Sequence, residues 1–205
     1  MTSRTRALVA AGVCATAASL LGFAAFNVAA VESADGRLEA KFIGLRPDGV
    51  ASLADDVFDT LSPTLFALIA AALLAVALLR RRPGIAAAVG LIVVGANLTT
   101  QLLQRITASP RSTALVSLSD SLWPSGHTTA AMTLAVCLVL VASARLRAVA
   151  AAFGALAVMA LVLSILVSGK HLPSDVLGAM LVAGAWTGLA LAVLRPPDHQ
   201  PHRRH

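Results

Sequence analysis

Pro124-Ser125-Gly126-His127-Thr128-Thr129-Ala130-Ala131-Met132-Thr133-Leu134-Ala135-Val136-Cys137-Leu138-Val139-Leu140-Val141 opens on a polar tetrapeptide and runs straight into hydrocarbon. Pro124 and Ser125 suit the start of a helix, and Gly126 lets a ligand approach the backbone closely. The unpaired N–H groups of a helix N-terminus, with the positive end of its dipole, attract an anion. The Ser125 hydroxyl adds a donor, and a histidine placed at a membrane span is costly unless it is paired or used. At average residue frequencies these four residues in this order arise roughly once in a thousand chains of this length. The stretch therefore predicts a membrane helix whose outer end binds an anion.

Working outward, the chain repeats the apolar part of that pattern. Of its 205 residues 58% are hydrophobic and 13% charged, where a soluble domain is nearer half and a quarter. A span needs roughly 20 apolar residues, and six stretches qualify, at about 7–31, 62–79, 85–103, 126–143, 148–168 and 172–194. The first follows Arg4 and Arg6 like a signal peptide, but its apolar run exceeds the roughly 7–15 residues of a signal core. It is read as a retained span. The expected fold class is all-α, a polytopic bundle of six transmembrane helices. Residues 1–61 would carry the first span and an outer acidic loop, 62–194 a five-span core, and 195–205 a disordered cytoplasmic tail.

Charge sets the orientation. Arg4, Arg6, Arg80, Arg81, Arg82, Arg145, Arg147, Arg195, Arg203 and Arg204 gather on one side, ten of the sixteen Lys and Arg residues. Arg37, Lys41, Arg46, Arg105, Arg111 and Lys170 fall on the other, with nine of the ten acids. The positive-inside rule then places both termini in the cytoplasm and the segments 32–61, 104–125 and 169–171 outside. The net charge of +6 reflects this topology; no basic stripe with interleaved aromatics suggests nucleic acid. Cys14 and Cys137 sit in apolar runs without the neighbours of a disulfide framework or a metal site. His199, His202 and His205 belong to the polar tail. The Ala-, Val- and Leu-rich, Arg-over-Lys usage suggests a bacterial source, hence a plasma membrane.

Within the outer loop Pro47-Asp48-Gly49 marks a turn. Val50, Leu53, Val57, Phe58 and Leu61 then alternate at helical spacing with Asp55, Asp56 and Asp59, predicting a short amphipathic helix on the outer surface. Further on, His171 and Asp175 stand four apart at the start of the last span, behind Pro173. An aspartate on one ring nitrogen leaves the other as a lone pair aimed outward, the base-plus-orienter arrangement of a nucleophilic histidine. Such pairs also stabilise helix ends, so topology matters. Two spans separate His127 from His171 and return the chain to the same outer surface, where Arg105 and Arg111 could neutralise an anionic group. Together these residues suggest phosphoryl chemistry on a lipid.

Over roughly residues 50–194 the chain resembles the type 2 phosphatidic acid phosphatase family, relatives of the vanadium haloperoxidases. That family's pattern is Lys-x6-Arg-Pro, then Pro-Ser-Gly-His, then Ser-Arg-x5-His-x3-Asp. The middle motif stands intact at Pro124–His127, and the third matches at Ser164, His171 and Asp175. The resemblance implies that His171 forms a phosphohistidine, Asp175 orients it and His127 protonates the leaving oxygen. It also implies that Ser125, Gly126 and Arg111 hold the phosphate, with no metal and no cofactor. The substrate class it implies is a lipid phosphate at the outer leaflet, a polyprenyl (pyro)phosphate before phosphatidic acid or phosphatidylglycerol phosphate. Membrane lipids are then the partners, and oligomeric state is not readable. The chain departs from the pattern at Gln104 for Lys, Ser112 for Pro and Ile165 for Arg, with Arg105 and Lys170 as the nearest substitutes. Those departures leave open a second reading, a catalytically impaired member that binds lipid phosphate as an accessory protein.

Overall fold

In hydrocarbon a spanning backbone must satisfy its own polar groups, so Ala-, Leu- and Val-rich runs of this kind become helices. The structure, a computed structural model, describes residues 2–45, 48–107 and 122–194, with backbone alone for 48–51. Every regular element among them is helical: α1 (Ser3–Asn27), α2 (Ala29–Gly44), α3 (Asp48–Thr60), α4 (Pro63–Leu79), α5 (Pro83–Ile106), α6 (Gly126–Val141), α7 (Arg147–Val167) and α8 (Pro173–Leu194). Starts carry local signals. Thr2 caps α1, Ser62 caps α4 ahead of Pro63, and Ser125 caps α6.

Four helices, α1, α5, α7 and α8, are long and apolar enough to cross a bilayer singly, at 25, 24, 21 and 22 residues. At 17 residues α4 qualifies only together with Ser52–Thr60, from which it bends by 48°. The 16 residues of α6 reach about 24 Å at 1.5 Å per residue, short of a hydrocarbon core of roughly 30 Å. Among the described residues four helices, or five spans with the bent pair, meet that requirement where six spans were expected. The six expected apolar stretches are mainly helical, but the first is broken at Val28 and α6, starting at Gly126 as expected, ends at Val141.

The expected outer loop 32–61 is corrected more deeply. Two helices, α2 and α3, occupy most of it, and α2 turns Asp35 and Glu39 inward, 6% and 1% exposed. Acidic composition reads as a solvated loop; the burial comes from contacts of α2 with α7 and α8, which composition does not reveal. The amphipathic helix expected near 50–61 is α3, packed on α7. Around it α1 lies along α8, α5 packs between α8 and α6, and α4 leans on α5 and α6. Close approach of α1 and α8 needs Gly188, where an added Cβ would meet Ala7 O at 2.8 Å. Large side chains such as Leu20, Phe23, Leu79, Leu156 and Val193 remain 64–81% exposed around the outside, a surface suited to lipid.

Candidate active site

Two helix N-termini meet at one end of the bundle. The backbone N–H of Ser125 donates to the carbonyl of Asp175 at 3.0 Å, so the start of α6 is bonded directly to the first turn of α8. Trp123 reinforces the joint: its indole Nε1 donates to the Ser174 carbonyl at 3.2 Å. Its ring fills a slot where a Cβ on Gly22 or Gly178 would stand only 2.7–2.8 Å away. From α5, Gln104 Nε2 donates to the Pro124 carbonyl at 2.7 Å and Thr107 Oγ1 to the Trp123 carbonyl at 2.8 Å. The tetrapeptide is thus held from both flanks by backbone and side-chain bonds.

His171 is thrown toward α6 by a turn at Gly169, whose φ of +65° lies in the left-handed region. Its Nδ1 stands 3.3 Å from Asp175 Oδ2, which also accepts from Leu172 N at 3.0 Å. Asp175 is fully buried, so its carboxylate is fixed from two sides while His171 stays partly exposed. With Nδ1 on Asp175, Nε2 is the other ring nitrogen. His127 and His171 line one cavity of about 370 Å³, together with Gly126, Gln104 and three further α5 residues, Asn97, Thr100 and Gln101. As the first two residues of α6, Gly126 and His127 have no intrahelical acceptor for their N–H groups. That end of the cavity therefore favours an anion. A larger cavity of about 720 Å³ between α1, α5 and α8 is lined by neither histidine.

Not every expected residue lines this cavity. Ser125 is fully buried, and its Oγ accepts from Thr128 N at 3.4 Å and from Thr128 Oγ1 at 3.1 Å, as a helix cap. Ser164 donates to the Ala54 carbonyl and ties α7 to α3. Arg105 is exposed at the end of α5, and Arg111 and Ser112 lie outside the described residues, as does the tail with His199, His202 and His205. Lys170 pairs with Asp55 at 3.3 Å and Asp59 at 4.0 Å, and its Nζ lies 3.9 Å from the centre of the Phe58 ring. Ile165, at the position of the family arginine, is 0% exposed in an apolar cluster with Val158, Val162 and Val176.

Three features escaped the sequence reading. Asn97, Thr100, Gln101 and Gln104 recur at three- and four-residue spacing and put a polar face on the otherwise apolar α5, a signal that was available. Phe58 rests on the His127 ring, centroids 4.1 Å apart, which nothing in the α3 sequence announces. Asp35 Oδ1 accepts from the N–H of Ser174, across 139 residues, at 3.1 Å.

A helical membrane protein with two histidines at one polar cavity, one of them held by an aspartate, is the class that fold and site define. The chain belongs to the PAP2 superfamily, whose family model matches residues 14–196. No curated protein matches it. In fold it is similar to the structure described as that of the first transmembrane PAP2 type phosphatidylglycerolphosphate phosphatase, from Bacillus subtilis. The TM-score is 0.66 at 18% identity, over 88% of this chain and 94% of that one.

Proposed function

We propose that this integral membrane phosphatase hydrolyses a lipid phosphate or pyrophosphate monoester through a phosphohistidine. The observation that carries the reading is the shared cavity of His127 and His171, with Asp175 on the far nitrogen of His171. His171 Nε2 attacks the terminal phosphorus and displaces the lipid alkoxide, or the lipid monophosphate when the substrate is a pyrophosphate, and the departing oxygen takes a proton from His127. Water then attacks the phosphohistidine, returns a proton to His127 and frees Nε2 with inorganic phosphate. The N–H groups of Gly126 and His127 receive the phosphate oxygens, supported by Gln104, Arg105, Arg111 and Lys170. Ser125 and Ser164 act by holding α6 and α7 in register. Charge from arginines, lysine and backbone donors supports a reaction without metal.

A lipid is favoured because a groove of about 520 Å³ lies beside the cavity and shares Leu61 with it. It is lined by Leu65, Ile69 and Leu73 of α4 against α6 and α7, and suits the hydrocarbon part of an amphiphile. Polyprenyl (pyro)phosphates lead the candidate substrates, ahead of phosphatidic acid and phosphatidylglycerol phosphate, at the outer face of a bacterial plasma membrane with cytoplasmic termini. The buried Ile165, which leaves no cation at that position, favours a second reading as a lipid-phosphate-binding accessory protein.

The experiment is phosphate release by the purified protein in detergent with a chelator, on these four lipids, beside His171→Ala. Release that the substitution removes, and that the chelator leaves intact, is the expected result. Release no greater than that of His171→Ala on every lipid would move the reading to the accessory role.

A further inference from the structure

We propose that Asp35 is a positioning residue, which holds the first turn of α8 so that His171 and Asp175 keep their reactive geometry. The first turn of a helix carries N–H groups with no intrahelical acceptor. At the start of α8 two carboxylates take up N–H groups, one from the residue just before the helix and one from its first turn. Asp175 Oδ2 receives Leu172 N–H at 3.0 Å, and Asp35 Oδ1 receives Ser174 N–H at 3.1 Å. Asp35 comes from α2, a helix otherwise outside the catalytic motifs, and it is 6% exposed. A buried carboxylate at a helix N-terminus makes charge-assisted bonds, stronger than neutral ones, and complements the dipole.

The place of that bond gives it reach. Ser174 lies between His171 and Asp175, and its own carbonyl receives the Trp123 indole. The next carbonyl, of Asp175, receives Ser125 N–H and so carries the start of α6. One peptide segment of α8 thereby links α2, the His171–Asp175 pair and the tetrapeptide with His127. With Asp35 and Asp175 on the α8 donors, the donors left for a substrate anion are those of α6. Removing the Asp35 acceptor frees the α8 turn, and His171 with it, to shift without altering the identity of any cavity-lining residue.

The test compares Asp35→Asn, which keeps an acceptor oxygen, with Asp35→Leu and Asp35→Ala, which have none. The kinetic arm rests on the phosphatase reading. Asp35→Leu and Asp35→Ala should lower kcat about 10- to 100-fold, the range for small misplacements away from the chemistry. Their KM should stay within about twofold of wild type, and Asp35→Asn should recover kcat to within about threefold. The second arm needs no turnover. In ¹⁵N-histidine-labelled protein, the His171 ring signal, assigned with His171→Ala, should shift or broaden in the Leu and Ala variants and stay in place in Asn. Unchanged kcat and an unchanged His171 signal in the folded Leu or Ala variant would overturn the proposal. So would an Asn variant as impaired as Leu in either arm. If wild type releases no phosphate from any lipid, the phosphatase reading fails, and the ring signal still decides the role of Asp35. Should Leu and Ala both fail to fold, Asn decides alone: wild-type ring signal supports the acceptor role, and a displaced one removes it.

Discussion

At the scale of single residues, Gly126 separates folding from function. An added Cβ there would meet only Gln104 Nε2, at 3.5 Å, an ordinary contact, so the fold does not need the glycine. The space the methyl would take belongs to the cavity. Gly126→Ala should therefore melt like wild type while its KM for the lipid phosphate rises severalfold, as steady-state assays beside thermal unfolding would show. Gly169 is the converse case. Its positive φ costs an L-residue about 1–2 kcal/mol, and a Cβ would also approach Ile43 Cδ1 to 3.1 Å. Gly169→Ala should lower the unfolding midpoint and, by moving the turn before His171, lower kcat as well. Ile165 carries a third expectation. Restoring the family arginine would place a cation in a fully buried apolar cluster, at a cost on the order of several kcal/mol. Ile165→Arg should reduce the yield of folded protein in detergent; a stable, more active variant would show that the site reaches this position.

Among the elements, α3 is the one whose role changes most between sequence and structure. Its periodicity predicts a helix lying on the outer surface; in the structure it packs on α7, and its Asp55 and Asp59 meet Lys170. These pairs are partly exposed and contribute at most about 1 kcal/mol. The consequential contact is Phe58 against the His127 ring, with Lys170 over the same phenyl ring. Asp59→Asn should leave turnover near wild type, while Phe58→Ala should lower kcat about tenfold by loosening His127. Equal effects of the two substitutions, measured in one kinetic series, would reduce α3 to a surface cover. In the other flank Trp123 joins α1 and α8 through the glycine slots at Gly22 and Gly178. Small residues were legible in both helices, but which large side chain fills their gap depends on a contact spanning many residues of sequence.

For the whole molecule, orientation is the property that the distribution of charge predicts. If the arginine-rich turn Arg80–Arg82 is cytoplasmic and Lys170 external, single cysteines at the two places should differ in labelling. In intact cells an impermeant maleimide should modify a cysteine at Asp59, exposed beside Lys170, and should reach one at Arg81 only after permeabilisation. The reverse pattern would turn the molecule over and move the site to the cytoplasmic leaflet. The exposed apolar belt requires detergent or lipid in every such experiment.

Helical class, membrane residence and family were determined by the sequence alone, because hydrophobic run length and a few polar motifs are local properties. The meeting of His127 with His171 at one end was also readable, since two successive apolar stretches between the motifs bring the chain back to the end it started from. Tertiary structure decided the rest. It shortened α6 below a full span, turned an acidic loop into α2 with inward-facing carboxylates, buried Ile165 in hydrocarbon and brought Asp35 to Ser174 and Phe58 to His127. Each of these depends on which helix faces which. That choice follows from close packing across long sequence separations, for which periodicity and composition within one segment carry no record.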